Sequence, residues 1–236
     1  MARKRQAQIV GFLIFVFVFS VSEAFALFLS NRVFVQNIKI NVAAFPSIKV
    51  FASSDTAFDQ DDVEENFGNV DEEDVSSKDG QNRRLAFRFD IPTLPTGVTL
   101  VGCSLNLFMN EAPSFESRSH GAYRFTLHEN EWGEGAGGPD EAEVGESSWQ
   151  WYARPDEWAT PGGDISDSPI AVAATGLEDE VWQAWDVTAD CAPGETRSWL
   201  IRDTSEDAPM TRDAEYNLRE DGFATAPYLL LTYQVP

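Results

Sequence analysis

The chain is poor in the residues that most enzymes and metal proteins lean on. Its 236 residues include two cysteines, Cys103 and Cys191, and two histidines, His120 and His128. These four, spread far apart, do not make a structural zinc site, which takes its ligands from closely spaced pairs. No Gly-x-Ser-x-Gly elbow occurs, and neither histidine sits near a nucleophile signature. Positive charge is the larger deficit: four Lys and thirteen Arg stand against 39 Asp and Glu, for a net charge of −22. That balance excludes a nucleic-acid partner, which needs clustered Lys and Arg to neutralise phosphates. By the same reasoning it disfavours an anionic membrane surface. Helical periodicity is nearly missing beyond the first thirty residues, and no internal repeat occurs. What remains is 43% hydrophobic, with 17 Phe and 7 Trp, enough apolar material for a sizeable core.

The N-terminus carries the one long apolar run. Arg3, Lys4 and Arg5 precede Ile9 to Phe19, and Ala24-Phe25-Ala26 gives the small-x-small pattern that signal peptidase accepts. Residues 1–26 are expected to be a signal peptide. The rival reading is an uncleaved anchor helix running through Glu23 to Leu29, which would place a carboxylate in the membrane at a cost of a few kcal/mol. Either way the acidic bulk is exported, to the extracellular space or the cell surface, and touches a membrane only through this segment. Cleavage would remove three positive charges and one negative, leaving −24. An oxidising compartment permits a Cys103–Cys191 disulfide; two buried, inert thiols are the alternative.

Downstream, the chain alternates with period two. Strand-like runs at Phe34–Val42, Ile48–Ala52, Leu85–Ile91, Thr99–Met109, Tyr123–Leu127, Val181–Val187, Ser198–Arg202 and Pro227–Val235 lie between Gly, Pro, Asn and Asp clusters, with apolar residues at alternate positions in Phe34–Val42, Leu85–Ile91, Thr99–Met109 and Tyr123–Leu127. At least seven such strands predict an all-β fold, an antiparallel β-sandwich of jelly-roll type. Residues 47–236 form that domain, and residues 27–46 are a linker or an extra edge strand. Two segments break the pattern: a carboxylate-rich loop at 55–80, and a long Gly-rich stretch at 129–180 holding Trp132, Trp149, Trp151 and Trp158. A connection that long inside a compact domain is functional or ordered by its own side chains.

A set of short motifs in order resembles a known family. Ser53-Ser54-Asp55-Thr56-Ala57-Phe58 followed by Asn66-Phe67-Gly68-Asn69 is similar to the opening of DNRLRE domains, secreted β-sandwiches related to carbohydrate-binding module family 96 and to disaggregatase-related proteins. Arg84-Leu85-Ala86-Phe87-Arg88-Phe89-Asp90-Ile91-Pro92 through Pro95 resembles their central strand and turn. Ser104-Leu105-Asn106-Leu107-Phe108, Glu131-Trp132-Gly133-Glu134, Ser148-Trp149 to Arg154-Pro155, Trp185-Asp186-Val187-Thr188 and Tyr216-Asn217-Leu218-Arg219-Glu220 follow in family order, and Pro227 to Tyr233 matches the final strand. The resemblance covers roughly residues 47–236. The acidic insert at 59–80 and the expanded loop at 133–147 depart from it. It implies a secreted or cell-surface, non-catalytic carbohydrate-binding module.

Three chemistries follow from the residues. Sugar rings stack on aromatic faces beside hydrogen-bonding side chains, which makes Trp151, Tyr152, Arg154 and Trp158 the candidate carbohydrate site; the same tryptophans could instead plug the end of the sandwich. The excess of negative charge favours a neutral or calcium-bridged polysaccharide. Asp55, Asp59, Asp61 and Asp62 are candidate calcium ligands, since calcium takes six to eight oxygens; a solvated acidic loop is the plainer alternative. Paired carboxylates arise by chance among 39 acidic residues, so no catalytic residue is assigned and the chain is read as a non-enzyme. The competing function is a structural cell-surface or filament subunit, self-associating by donating the Val33–Val42 strand to a neighbour's sheet edge.

Overall fold

The computed structural model of the chain describes residues 45–235. The leader at 1–26, the strand expected at Phe34–Val42 and nearly all of the 27–46 segment lie outside the described residues. The described strands are β1 (Ser47–Phe51), β2 (Ser54–Asp59), β3 (Glu65–Asn66), β4 (Glu72–Ser76), β5 (Arg83–Asp90), β6 (Thr99–Glu111), β7 (Ser119–Arg124), β8 (Asp140–Glu141), β9 (Trp151–Ala153), β10 (Asp156–Glu157), β11 (Ala171–Ala174), β12 (Val181–Asp186), β13 (Thr196–Asp203), β14 (Asp213–Asn217) and β15 (Tyr228–Gln234), with one 3-10 turn at Arg219–Asp221. Among these residues no helix is long and apolar enough to cross a membrane.

Eleven strands form one curled antiparallel sheet in the order β1-β15-β6-β14-β4-β5-β13-β7-β11, with β12 also on β6 and β2 also on β5. Two walls result. One is β1, β15, β6 and β12; the other is β2, β5, β13, β7 and β11; β14 and β4 carry the sheet from one to the other. The long β6 makes this possible, because its first residues pair with β15 and its last with β14. The fold is the expected all-β sandwich.

Period-two alternation builds the core between the walls. Cys103, Leu105, Leu107 and Met109 of β6, Leu229 and Leu231 of β15 and Trp185 of β12 face Leu85, Phe87 and Phe89 of β5 and Trp199 and Ile201 of β13, all buried in one cluster. Each large side chain so buried contributes roughly 1.5–3 kcal/mol of transfer free energy. Cys103 and Cys191 are joined by a disulfide across this core, with Cα atoms 6.4 Å apart and a sequence separation of 88. The bridge ties β6 to the segment between β12 and β13.

The second wall is buried on both faces, which the alternation alone does not announce. Ala86 of β5 and Leu200 of β13 point away from the core and join Phe58, Phe125, Trp132, Trp149 and Trp158 in a second buried cluster. An apolar outer face must be covered, and the segment from Thr126 to Ile165 covers it as a third layer. Backbone hydrogen bonds fix that layer: Gly133 N–H donates to Tyr152 O at 2.9 Å, Arg154 N–H to Glu146 O at 2.8 Å and Thr126 N–H to Asp164 O at 2.7 Å. Gly133 is required because a Cβ there would stand 1.8 Å from Gly145 O.

Two sequence expectations change. The loop expected at 55–80 contains β2, β3 and β4. Of β4, Val75 and Ser76 are buried while Glu73 and Asp74 turn toward Arg83, whose Nη1 lies 2.9 Å from Glu73 Oε1. The Tyr123–Leu127 run ends as a strand at Arg124, and Leu127 is exposed.

Candidate functional site

The residues expected to stack sugars do not form an open platform. Trp158 is 4% exposed, lies edge-on to Phe58 and stacked on Phe125, and donates its indole N–H to Ser148 O at 2.9 Å. Trp151 is 7% exposed beneath Arg154, whose guanidinium carbon lies 4.8 Å from the ring centroid. Arg154 is itself committed to Glu141 at 2.7 Å and to the Ala142 carbonyl. Tyr152 is half-buried and stacks on His128, centroids 3.7 Å apart. These side chains bind the third layer to the wall. Trp132 and Trp149 do the same, capped by Arg88 and Arg84 at 4.1 and 4.5 Å from their ring centroids.

The four aspartates expected as calcium ligands are also separated. Asp55 and Asp59 lie at opposite ends of β2, and an extended strand advances about 3.3 Å per residue, so their Cα atoms stand roughly 13 Å apart. Asp59 is paired with Arg83 Nε at 2.6 Å and accepts from Asp61 N–H at 2.9 Å. Asp61 is exposed and accepts from Gln81 Nε2 at 2.9 Å, and Asp62 is exposed.

Asp55 joins a different group. It is 1% exposed, and carboxylate oxygens of Asp55, Glu134 and Glu220 lie within 4.8 Å of one another. Three elements meet there: the start of β2, the third layer through Glu134, and the 3-10 turn through Glu220. Arg219 sits among them. Its backbone N–H donates to Asp55 Oδ2 at 2.9 Å, and its Nη2 donates to Glu134 Oε1 at 2.7 Å and to Glu220 Oε1 at 2.9 Å. Asp55 N–H also donates to Glu134 Oε1 at 2.8 Å. Burial, followed by the charges of Glu220 and Glu134, drives the Asp55 carboxyl well above the usual carboxylate range, with Arg219 opposing. Burial likewise raises Glu134. Gly68 packs against this corner: a Cβ there would lie 2.0 Å from Glu134 O. Glu134, Arg219 and Glu220 lie in segments that the resemblance picks out, but nothing in their spacing assigns them to one site.

The other grouping is an aromatic row on the solvent side of the first wall. Core residues occupy alternate positions of β6, β12 and β15, so Phe108, Trp182 and Tyr228 point outward, and Phe51 of β1 lies beside Tyr228 in register. Ring centroids run Phe223–Phe51 at 4.3 Å, Phe51–Tyr228 at 6.2 Å, Tyr228–Trp182 at 4.9 Å and Trp182–Phe108 at 5.4 Å. Phe223 is 79% exposed and Trp182 39%. Lys49 lies over the row, its Nζ 3.8 Å from the Tyr228 centroid, and Asn106 and Ala184 occupy the same cross-strand line as Tyr228. The available signal was an aromatic at the polar phase of an otherwise regular strand.

The two histidines lie apart in different settings, His128 with its Nδ1 2.6 Å from Glu131 Oε2 and His120 in the core. Burial lowers the His120 pKa to about 4, and its Nδ1 is 2.9 Å from the Tyr216 hydroxyl. No family model matches the chain and no curated protein matches it. Fold and geometry together define an all-β sandwich with a covering tryptophan layer, an outward-facing aromatic row exposed at Phe223 and Trp182, and an acidic cluster around the buried Asp55.

Proposed function

We propose that the chain is an exported, non-catalytic carbohydrate-binding module of the DNRLRE kind, and that its binding face is the aromatic row on β1, β15, β6 and β12 rather than the Trp151–Trp158 loop. The observation that carries this reading is the continuous run Phe223–Phe51–Tyr228–Trp182–Phe108 on an outer sheet face. A row of rings along an outer sheet face offers stacking surfaces to successive sugar units of an extended chain. Lys49 and Asp186, exposed on the same face, supply hydrogen-bonding partners for hydroxyls. A net charge of −22 favours a neutral glycan.

The test is affinity electrophoresis through gels containing soluble β-glucan, xylan or mannan, with and without calcium. The expected outcome is retardation on at least one polysaccharide that disappears in Trp182→Ala and weakens in Phe223→Ala. Absence of retardation on all of them overturns the reading. A second reading, a structural surface or filament subunit, draws on one feature: among the described residues β1 pairs only with β15, which leaves its other edge open for strand addition. Concentration-dependent fibres that vanish on deleting residues 27–46 would favour it.

A further inference from the structure

We infer that Asp55, Glu134 and Glu220 form a calcium site that pins the tryptophan layer to the sandwich. Acidic clusters are common on a chain this acidic, and most are solvated. This one differs because two of its oxygens are withdrawn from water without a partner. Asp55 Oδ1 and Glu220 Oε2 are buried and have no hydrogen-bond partner, and Asp55 as a whole is only 1% exposed. A buried polar atom without a partner is costly, and an anionic one more so.

Charge accounting points the same way. Three carboxylates face one contacting cation, Arg219, whose Nη2 is spent on Glu134 Oε1 and Glu220 Oε1. Arg88 contributes at longer range and is held by the Trp132 carbonyl. With all three ionised, as they would be around a bound cation, the local excess is close to two negative charges, which one divalent cation balances. Every candidate ligand is oxygen, the preference of a hard cation. The oxygens lie within 4.8 Å of one another, a span that fits across calcium, whose ligands at 2.3–2.6 Å stand up to about 5 Å apart on opposite sides, and is generous for magnesium at 2.0–2.1 Å. Calcium would link β2, the third layer and the Arg219–Asp221 turn. Asp59, Asp61 and Asp62 take no part. The inference is independent of the glycan reading, because the cluster and the aromatic row share no residue.

The experiment compares thermal unfolding and titration calorimetry of the whole chain after chelator treatment and at about 10 mM calcium chloride, above the roughly 0.1–1 mM range of extracellular calcium modules. A ligand bound only by the folded state raises stability in a concentration-dependent way. The expected result is a Tm rise of several degrees, reversed by chelator, that is retained in the Asp61→Asn/Asp62→Asn double variant and lost in Asp55→Asn and Glu220→Gln. Glu220 is partly exposed and keeps its shape as Gln, so that variant decides the matter if Asp55→Asn does not fold. Two results overturn the site: a wild-type Tm and heat signal unchanged by calcium, or a full calcium response in Glu220→Gln.

Discussion

Replacing Trp158 by alanine separates the two roles that a tryptophan in a long loop can have. The side chain is 4% exposed, its ring lies 5.5 Å from Phe58 and 5.7 Å from Phe125, and its N–H holds the Ser148 carbonyl at 2.9 Å. Truncating a buried Trp costs about 3–5 kcal/mol, because transfer free energy is lost and a cavity remains. Leaving the Ser148 carbonyl without its donor adds about 1 kcal/mol. At about 2–4 °C per kcal/mol for a domain of this size, Tm should fall by roughly 8–24 °C. Trp182→Ala is the matched control. Its ring is 39% exposed, so no closed cavity forms, and the loss of its aromatic contacts should cost only about 1–2 kcal/mol. Calorimetric or circular-dichroism melts of both variants, run beside gel retardation on polysaccharide, give two independent readouts. A Trp158→Ala protein with near wild-type Tm but abolished retardation would refute the assignment of that ring to structure and return the binding face to the loop.

Two other outcomes follow from the fold. Joint replacement of Cys103 and Cys191 by alanine releases a loop closed over 88 residues, for which the chain-entropy model gives about 4–5 kcal/mol; urea unfolding should show that loss as a lower midpoint, and an unchanged midpoint would mean that the bridge constrains nothing. Burial, then the neighbouring Glu73 and Asp213, raises the Asp74 pKa to about 7 from 3.8, against the pull of Arg83. The folded chain therefore holds a proton that the unfolded chain releases, so this group's contribution to stability declines as pH rises from about 4 to 7 and is level above that window. Asp74→Asn should gain on the wild type across the same interval, and parallel stability–pH curves for the two proteins would contradict it.

The strands were legible wherever one face was wet. In β6, Cys103, Leu105, Leu107 and Met109 alternate with less buried positions, and the period-two pattern is sufficient to place the strand. In β4 the pattern fails, because Glu72-Glu73-Asp74 offers no apolar alternation; the strand exists through pairing with β14 and the charge of Arg83. The third layer was half legible. Four tryptophans in one segment require burial somewhere, but the face they bury against is set by Ala86 and Leu200, two small signals on strands that also face the main core. The acidic cluster was not legible: Asp55 is 79 residues from Glu134 and 164 from Arg219. Sequence neighbours of Asp55 misled because β2 is extended, which carries Asp59 away from it.

The placement of the scarce positive charge bears on both proposals. Most described arginines are engaged internally: Arg83, Arg84, Arg118, Arg197 and Arg202 pair with carboxylates, and Arg219 sits among three of them. The surface therefore keeps its negative field, with Lys49 a local exception over the aromatic row. At physiological ionic strength that field decays over about 8 Å, enough to oppose a polyanion approaching the row while leaving a neutral glycan unaffected. The same field raises the concentration of divalent cations near the protein, where the Asp55 corner would take one. On this account the acidity that excludes nucleic acid also selects among glycans and feeds the proposed calcium site. Each effect should weaken with added salt, the calcium response less than glycan selection because Asp55 is buried.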